Sequence, residues 1–247
     1  MNEWQAVQNR ISCRSYTDSL VPEEKLQALR EFLGRITSQT GLHMELVHSP
    51  EYTLKLAGAM FSGNVHTYAV FYGADEPLTA EKLGYYGEKF VLYATSLGLG
   101  TCWVAGTYDK KSVRVTLPAG EKIWDVIPIG IATAEMPMKQ KMIRTMLRKK
   151  DRKPEQFLES DTPLASAPDW VKSGIQAMLL GPSAVNQQPV NIVLSGGKVT
   201  MKIRKNGNSL QNNDMGIAKY QFAVGAAECG VKGKWQWGDG GEFEVQE

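Results

Sequence analysis

The chain has 247 residues, of which 43% are hydrophobic and 22% are charged, a composition that excludes disordered and fibrous classes. Its formal net charge of +2 is too small to favour nucleic-acid binding by the whole molecule. Three widely spaced cysteines fit neither a disulfide framework nor a metal-ligand spacing, and neither a signal peptide nor a membrane span is evident, so we expect a cytoplasmic protein without membrane association.

The first half reads as alternating helix and strand. A proline followed by two acidic residues predicts the start of a helix at residue 22, and Gly34 predicts its end, so the predicted helix covers residues 22–34. A strand follows over residues 42–49. Residues 84–98 then predict a helix rich in small residues, with a glycine stop and a strand that carries Trp103. Small residues along a helix predict close packing against a partner helix.

Residues 139–153, KQKMIRTMLRKKDRK, carry eight basic side chains and one acid. Apolar residues at helical spacing predict an amphipathic helix in the first part of this stretch. Three interpretations stay open: a charged surface helix, a phosphate clamp at its C-terminal end, and a nucleic-acid contact. The last is the weakest because no aromatic side chains are interleaved with the charges.

The second half repeats the order of the first. A helix is predicted over residues 167–181 and a strand over 190–197, and Gly196-Gly197 predicts a hairpin into the next strand. Between the helix and the first of these strands stands GPSAVNQQPV, residues 181–190. Its serine and amide side chains can hold a ligand by hydrogen bonding and do not titrate near neutral pH. The alternative is a plain connector between helix and strand.

An internal repeat supports two related halves. GYYGEKFVLYATSLGLGTCW at 84–103 aligns with GIAKYQFAVGAAECGVKGKW at 216–235. Five identities in twenty could arise by chance, but the order of elements matches as well. We therefore predict an α+β protein with a first half at residues 1–155 and a second, shorter half at 156–247. The identical pairs are Gly84 and Gly216, Phe90 and Phe222, Ala94 and Ala226, Gly98 and Gly230, and Trp103 and Trp235.

Four motifs together resemble the FMN-dependent nitroreductases: RISCRSY at 10–16, GLGTCWVAG at 98–106, KDRKP at 150–154 and PSAVNQQP at 182–189. Members of that family are homodimers with flavins in clefts between subunits, where one subunit supplies Arg-x-Ser-x-Arg/Lys and the other Pro-Ser-x-x-Asn-x-Gln-Pro. Here each of those two motifs occurs once, in different halves. The resemblance therefore implies a nitroreductase-like fold in which two halves, each with a mostly antiparallel sheet flanked by helices, pack as a pseudo-twofold dimer within one chain.

The resemblance also implies which residues bind FMN. Guanidinium groups suit the phosphate, and the arginines of RISCRSY take the phosphate, ribityl chain and pyrimidine edge together with the serine between them. The basic pair of KDRKP reaches the same phosphate, and two backbone amides after GLGTCW face N5 and O4 of the flavin. The second half supplies the remaining contacts. The implied FMN-binding residues are Arg10, Ser12, Arg14, Ala105, Gly106, Lys150, Arg152, Pro182, Ser183, Ala184, Asn186 and Gln188.

The implied function is that of an FMN-dependent NAD(P)H oxidoreductase. NADH or NADPH would deliver hydride to flavin N5, and a nitroaromatic, quinone or similar small acceptor would remove it, so no catalytic side chain and no metal is predicted. The alternative is a flavin-binding protein without turnover, such as a sensor or store. The equivalent of GLGT in the second half is GVKG, so we expect one FMN per chain and a species that can be monomeric.

Two cysteines lie in these motifs. Cys102 lacks a histidine partner and is predicted to serve in packing. Cys13 stands between two arginines, which would lower its pKa if the thiol were exposed. We interpret it as a variable position of the motif.

Overall fold

The computed structural model describes residues 1–58, 60–135, 137, 138, 141, 142, 145, 152–204 and 209–246. Helices and strands both contribute, as the α+β prediction requires. The chain divides into two compact units. Unit 1 contains residues 9–75 and the described part of 90–147, and unit 2 contains residues 2–8, 76–89 and the described part of 148–247. No helix of the described residues is long and apolar enough to cross a membrane.

Unit 1 is built on a four-stranded antiparallel sheet. Its strands are β1 (His43–His48), β2 (Thr67–Ala74), β3 (Gly100–Thr101) and β4 (Glu121–Gly130), in the order β1-β2-β4-β3. The inner strand β2 is apolar or aromatic from Tyr68 onward and is buried along nearly its whole length, as a strand covered on both faces should be. The predicted strand over 42–49 is confirmed by β1.

Helix α2 (Glu23–Thr40) extends beyond the predicted end at Gly34. Gly34 lies in the exposed face of the helix, where glycine lowers helix stability without ending it. Leu33 and Ile36 continue the buried stripe across this position, so packing outweighs propensity. The helix ends at Gly41 instead, which takes a left-handed φ of 71° and donates its N–H to Thr37.

Unit 2 combines helices with a second sheet. Its helices are α1 (Glu3–Asn9), the first part of α3 (Pro77–Ser96), α4 (Asp169–Leu180) and α5 (Gln211–Glu228). Strand β5 (Leu158–Ser160) pairs in parallel with β6 (Val190–Ser195), and β6 pairs antiparallel with β7 (Lys198–Ile203). A separate antiparallel pair joins β8 (Gly233–Trp235) and β9 (Phe243–Val245). The predicted helix over 167–181, the strand and the glycine hairpin are confirmed, and Gly196 and Gly197 both have positive φ.

Helices α3 and α5 cross at two glycines within unit 2. A Cβ on Gly84 would meet the backbone carbonyl of Asn213, and a Cβ on Gly216 would meet that of Glu81. These are the two glycines that the internal repeat aligns with each other. The close helix packing predicted from the small residues is confirmed here, because the two backbones approach closely enough to exclude any side chain.

A buried ion pair lies beside this crossing. The Lys219 ammonium of α5 is 2.5 Å from a carboxylate oxygen of Glu81 on α3, and neither side chain is accessible to solvent beyond 1%. Lys219 also donates to the carbonyls of Gln236 and Gly238, at 2.8 and 3.0 Å, while Glu81 accepts the N–H of Gly238. Burial lowers the pKa of Lys219, and Glu81 opposes that shift. The pair therefore fastens the segment before β9 to both helices.

Some sequence predictions are not decided by these elements. The pseudo-twofold packing of two halves and the boundary at residues 155/156 stay predictions. The basic stretch at 139–153 falls largely outside the described residues, of which Lys141, Met142 and Thr145 are helical.

The glycine crossing leads to a stability prediction. Gly216→Ala should lower the free energy of unfolding by about 1–3 kcal/mol, because the new methyl group forces the helices apart. Gly34→Ala is the matched control: it lies in a helix with no atom within 4 Å of the new Cβ, so it should raise stability by about 0.5–1 kcal/mol. Chemical denaturation measures both, and equal effects of the two substitutions would contradict the crossing.

Candidate functional site

The RISCRSY segment of unit 1 lies alongside β3. Cys13 donates its N–H to the Thr101 carbonyl at 2.8 Å, and Ser12 forms a parallel bridge with Thr101. Cys13 and Ser15 are buried, whereas Arg10, Ser12 and Arg14 are only partly buried. This alternation places Arg10, Ser12 and Arg14 on one face of an extended segment, as their spacing predicts.

This pairing brings RISCRSY and GLGTCWVAG together within unit 1. The Cys102 thiol interacts with Arg14 and Arg10 electrostatically and with the Ser12 side chain through a hydrogen bond. Burial nevertheless dominates and raises the pKa of Cys102 to about 11. Cys102 is therefore a packing residue, as predicted.

Cys13 has a similarly buried thiol. Its thiol is buried and donates to the Ser15 carbonyl at 3.3 Å. Burial raises the pKa of Cys13, and the opposing effect of Arg14 is smaller. The condition for a lowered pKa, exposure between the two arginines, is not met.

The segment after β3 presents main-chain donors. Val104 bridges Val126, and Ala105 and Gly106 follow in a bend where Gly106 is exposed. No atom lies within 4 Å of the position that a Cβ on Gly106 would take. Among the described residues, no backbone acceptor bonds the N–H of Ala105 or Gly106. Both amides are thus available to a ligand or to water.

The loop Pro182–Gln188 of unit 2 has an uncommon backbone. Val185, Asn186 and Gln188 have φ of 43°, 54° and 51°, and they are the non-glycine residues with positive φ in the described part of the chain. Such conformations cost about 1–3 kcal/mol each and cluster at ligand sites. A plain connector between a helix and a strand does not require three left-handed conformations within four residues.

Hydrogen bonds inside the loop hold this shape. The Gln188 N–H donates to Ser183 Oγ at 2.9 Å, and its buried side-chain amide donates to the Gly181 carbonyl at 2.8 Å. Two backbone hydrogen bonds close the turn, from the Asn186 N–H to the Ser183 carbonyl at 2.9 Å and from the Gln187 N–H to the Ala184 carbonyl at 3.0 Å. Ser183 and Gln188 thus shape the loop from within.

Arg152 extends the loop site. Its guanidinium donates to the Asn186 side-chain oxygen at 3.0 Å and, through the second Nη, to the Asn186 carbonyl. Two predicted site residues from separate motifs therefore meet within unit 2. Lys150, the other predicted member of the basic pair, lies outside the described residues.

Two residues of this region were not predicted. Arg204 stacks on the Phe157 ring at 4.9 Å and donates its N–H to the Pro189 carbonyl, and its charge adds to burial in lowering the pKa of Arg152. Asp214 accepts the Ala184 N–H, and burial raises the pKa of Asp214 to about 7. Arg204 directly follows β7 and belongs to no motif. Asp214 is an acidic residue in the first turn of a helix, which is a common position for an acid and gives no sign of a site.

The predicted site residues thus form two groups. One group in unit 1 comprises two arginines, a serine and two backbone amides, and one group in unit 2 comprises the bent loop and Arg152. No cluster of histidine, cysteine or acidic residues suited to a metal ion occurs among the described residues.

The fold is that of a mixed helix and sheet protein and matches a nitroreductase-fold structure. A family profile described as "Putative TM nitroreductase" matches residues 2–226. The chain belongs to this family. The resemblance inferred from the four motifs is confirmed.

One solved structure shares the fold over nearly the whole chain. A "putative nitroreductase" from Thermotoga maritima MSB8 is 21% identical, with a TM-score of 0.64 over 99% of this chain and 93% of that chain. A nitroreductase family protein from Clostridium novyi NT is 18% identical over 54% of this chain and 87% of its own, with a TM-score of 0.44. A nitroreductase with bound FMN from Desulfitobacterium hafniense DCB-2 is 19% identical over 56% and 93%, with a TM-score of 0.42. A search of curated proteins found no match.

The cysteine environments predict a labelling pattern. A thiol reagent at pH 8 should modify one cysteine per native chain rapidly, because Cys229 is exposed whereas Cys13 and Cys102 are buried with raised pKa values. In denaturant all three should react. Cys229→Ser should remove the rapid phase, and a rapid phase that survives this substitution would mean that a motif cysteine is reactive.

Proposed function

We propose that this nitroreductase-family chain is an FMN-dependent NAD(P)H oxidoreductase that reduces a small nitroaromatic, quinone or similar acceptor. The observation that carries the proposal is the bent loop of unit 2, held by Arg152 and presenting Asn186. Family membership supports an oxidoreductase, and the chemistry of both residue groups fits FMN. The cytoplasm as its location and a monomeric state stay predictions from the sequence.

The unit 1 group fits the polar parts of FMN. Arg10 and Arg14 have forked guanidinium groups suited to a phosphate dianion, and Ser12 between them has a hydroxyl. The N–H groups of Ala105 and Gly106 fit acceptor atoms of the flavin ring, and the missing Cβ of Gly106 leaves room for a flat ring to approach.

The unit 2 group fits in a different way. Arg152 is held toward Asn186, so its guanidinium is oriented before any ligand arrives. The Asn186 side-chain oxygen accepts from Arg152, and an asparagine amide can both donate and accept hydrogen bonds, as the edge of a flavin ring requires. Pro182, Ser183, Ala184 and Gln188 complete this proposed group, of which Ser183 and Gln188 act by fixing its shape.

When bound, FMN would accept hydride at N5 from NADH or NADPH and pass it to the acceptor. The chain itself binds and orients the cofactor through the two groups and supplies no titrating side chain at the reacting atom.

A flavin-binding protein without turnover would use the same residues. Purified protein loaded with FMN should bleach on anaerobic addition of NADH or NADPH and recover its colour when a quinone or nitroaromatic is added. We expect one FMN per chain, because each motif occurs once, and the flavin-to-chain ratio can be read from the absorbance spectrum. A flavin that binds but never bleaches would indicate the sensor or store instead, and two flavins per chain would contradict the single site.

A second prediction concerns Arg14. Arg14→Ala should weaken FMN binding by about 1.5–3 kcal/mol, the usual contribution of a charge-assisted hydrogen bond. Arg35→Ala is the matched control: it removes the same charge from the exposed side of α2, where the guanidinium stacks on Phe32 at 5.5 Å. Titration of FMN followed by its fluorescence measures both affinities. Equal affinities in the two variants would remove Arg14 from the site.

A further inference from the structure

A buried carboxylate touches the proposed flavin loop from the side of helix α5. Asp214 lies in the first turn of α5 and is 3% exposed. Its two carboxylate oxygens are 2.9 and 3.2 Å from the backbone nitrogen of Ala184, which donates its N–H to them. Asp214 is itself held in place, since its own N–H donates to the Leu210 carbonyl at 2.9 Å.

The position of Ala184 makes this contact consequential. Ala184 immediately precedes Val185 and Asn186, two of the three residues with left-handed φ. The contacts that Gln188 makes inside the loop, to Ser183 and Gly181, are neutral hydrogen bonds. The contact with Asp214 differs from them because its acceptor is a carboxylate. An N–H bound to a carboxylate is held more strongly than one bound to a neutral acceptor.

We propose that Asp214 is a positioning residue for the flavin site: its ionised carboxylate holds the Ala184 N–H and thereby keeps residues 183–188 in the conformation that binds FMN. The proposal rests on the proposed function, because it concerns the same loop. Asp214 acts through Ala184 and does not itself contact the ligand.

Electrostatics makes the contact dependent on pH. Burial raises the pKa of Asp214 to about 7, and the Ala184 N–H opposes that rise. Among the described residues, no charged group on an element packed against α5 is a cause of this pKa shift. The acidic groups on those elements have other partners: Glu81 pairs with Lys219, Glu88 bonds to Gln221 and Asp169 pairs with Lys172. The other lysines on those elements are Lys82, Lys89, Lys198, Lys202 and Lys234.

The sign of the effect on stability follows from the raised pKa. In the unfolded chain the carboxyl titrates near its ordinary value of 3.8, and in the folded protein near 7. Folding therefore favours the protonated acid, and the contribution of Asp214 to stability is full below pH 4 and falls as the pH rises toward 7. Ionisation of Asp214 lowers the folding stability and, by the proposal, raises FMN affinity because the carboxylate holds the loop in its binding conformation. A residue that served only the fold would not show these opposite trends.

The test compares wild type with Asp214→Asn and a control, Asp169→Asn, which makes the same chemical change on the exposed face of α4. FMN affinity is measured from pH 5.5 to 8.5. At pH 8 the Asp214→Asn variant should bind FMN about tenfold more weakly than wild type, because its neutral amide oxygen holds the Ala184 N–H less strongly than the carboxylate does, and near pH 5.5 the gap should close to within about twofold. Wild type and the control should share one pH profile of FMN affinity, because both keep Asp214. Titration of the FMN phosphate affects all three proteins equally and so cannot produce a difference between them.

Two readouts need no flavin. In the FMN-free protein the Ala184 amide resonance should titrate with pH in wild type and stay constant in the Asp214→Asn variant. The stability of that variant relative to wild type should rise as the pH increases from 4 to 8.

The outcomes separate the two hypotheses. A wild type that binds no FMN at any pH overturns the proposed function and this inference with it. FMN affinities that follow the same pH profile in wild type and the Asp214→Asn variant overturn the inference alone. Tighter binding by the variant at pH 8 also overturns it, because the carboxylate would then repel the ligand.

Discussion

Unit 2 depends on the close crossing of α3 and α5 at Gly84 and Gly216. Because glycine has no side chain, the two backbones come close at these positions, where a Cβ would meet backbone atoms of the other helix. Groups on both helices are then near enough to pair directly. The side-chain amide of Asn213 donates to the Ala80 carbonyl at 3.3 Å, Lys219 pairs with Glu81, and Gln221 donates to Glu88 at 2.6 Å. Larger residues at the crossing would separate these partners and leave buried polar groups unsatisfied.

The same crossing explains the character of α5. Residues 213–222 of this helix are all buried, so it has no solvent-facing polar stripe of the ordinary kind. Its polar side chains instead face specific partners: Lys219 fastens the segment before β9, and Asp214 fastens the loop after α4. Buried charge of this kind is costly and is a poor source of net stability. Its effect is to fix the positions of these two loops relative to α5.

The sequence predicted local features well and distant ones poorly. The α4 helix, the β6–β7 hairpin and the small-residue contact of α3 follow from caps, periodicity and glycine placement, which are readable within a few residues. The end of α2 was missed because buried leucine and isoleucine outweigh an exposed glycine. Lys219 and Glu81 are 138 positions apart, and neither stands in a motif. Among the site residues, the two-residue spacing of Arg10, Ser12 and Arg14 can be read from the sequence, whereas Asp214 depends on a three-dimensional contact that no local pattern encodes.

Helix α3 belongs to both units, since residues 77–89 pack in unit 2 and residues 90–96 in unit 1. The N-terminal helix α1 likewise contributes residues 3–8 to unit 2 although it begins the chain. No single crossover point in the gene separates the two units intact. Recombination between relatives would therefore tend to pair an α3 from one parent with an α5 from the other, mismatching the glycine crossing and the buried ion pair. Selection should accordingly keep distant stretches of this sequence inherited together and changing in step.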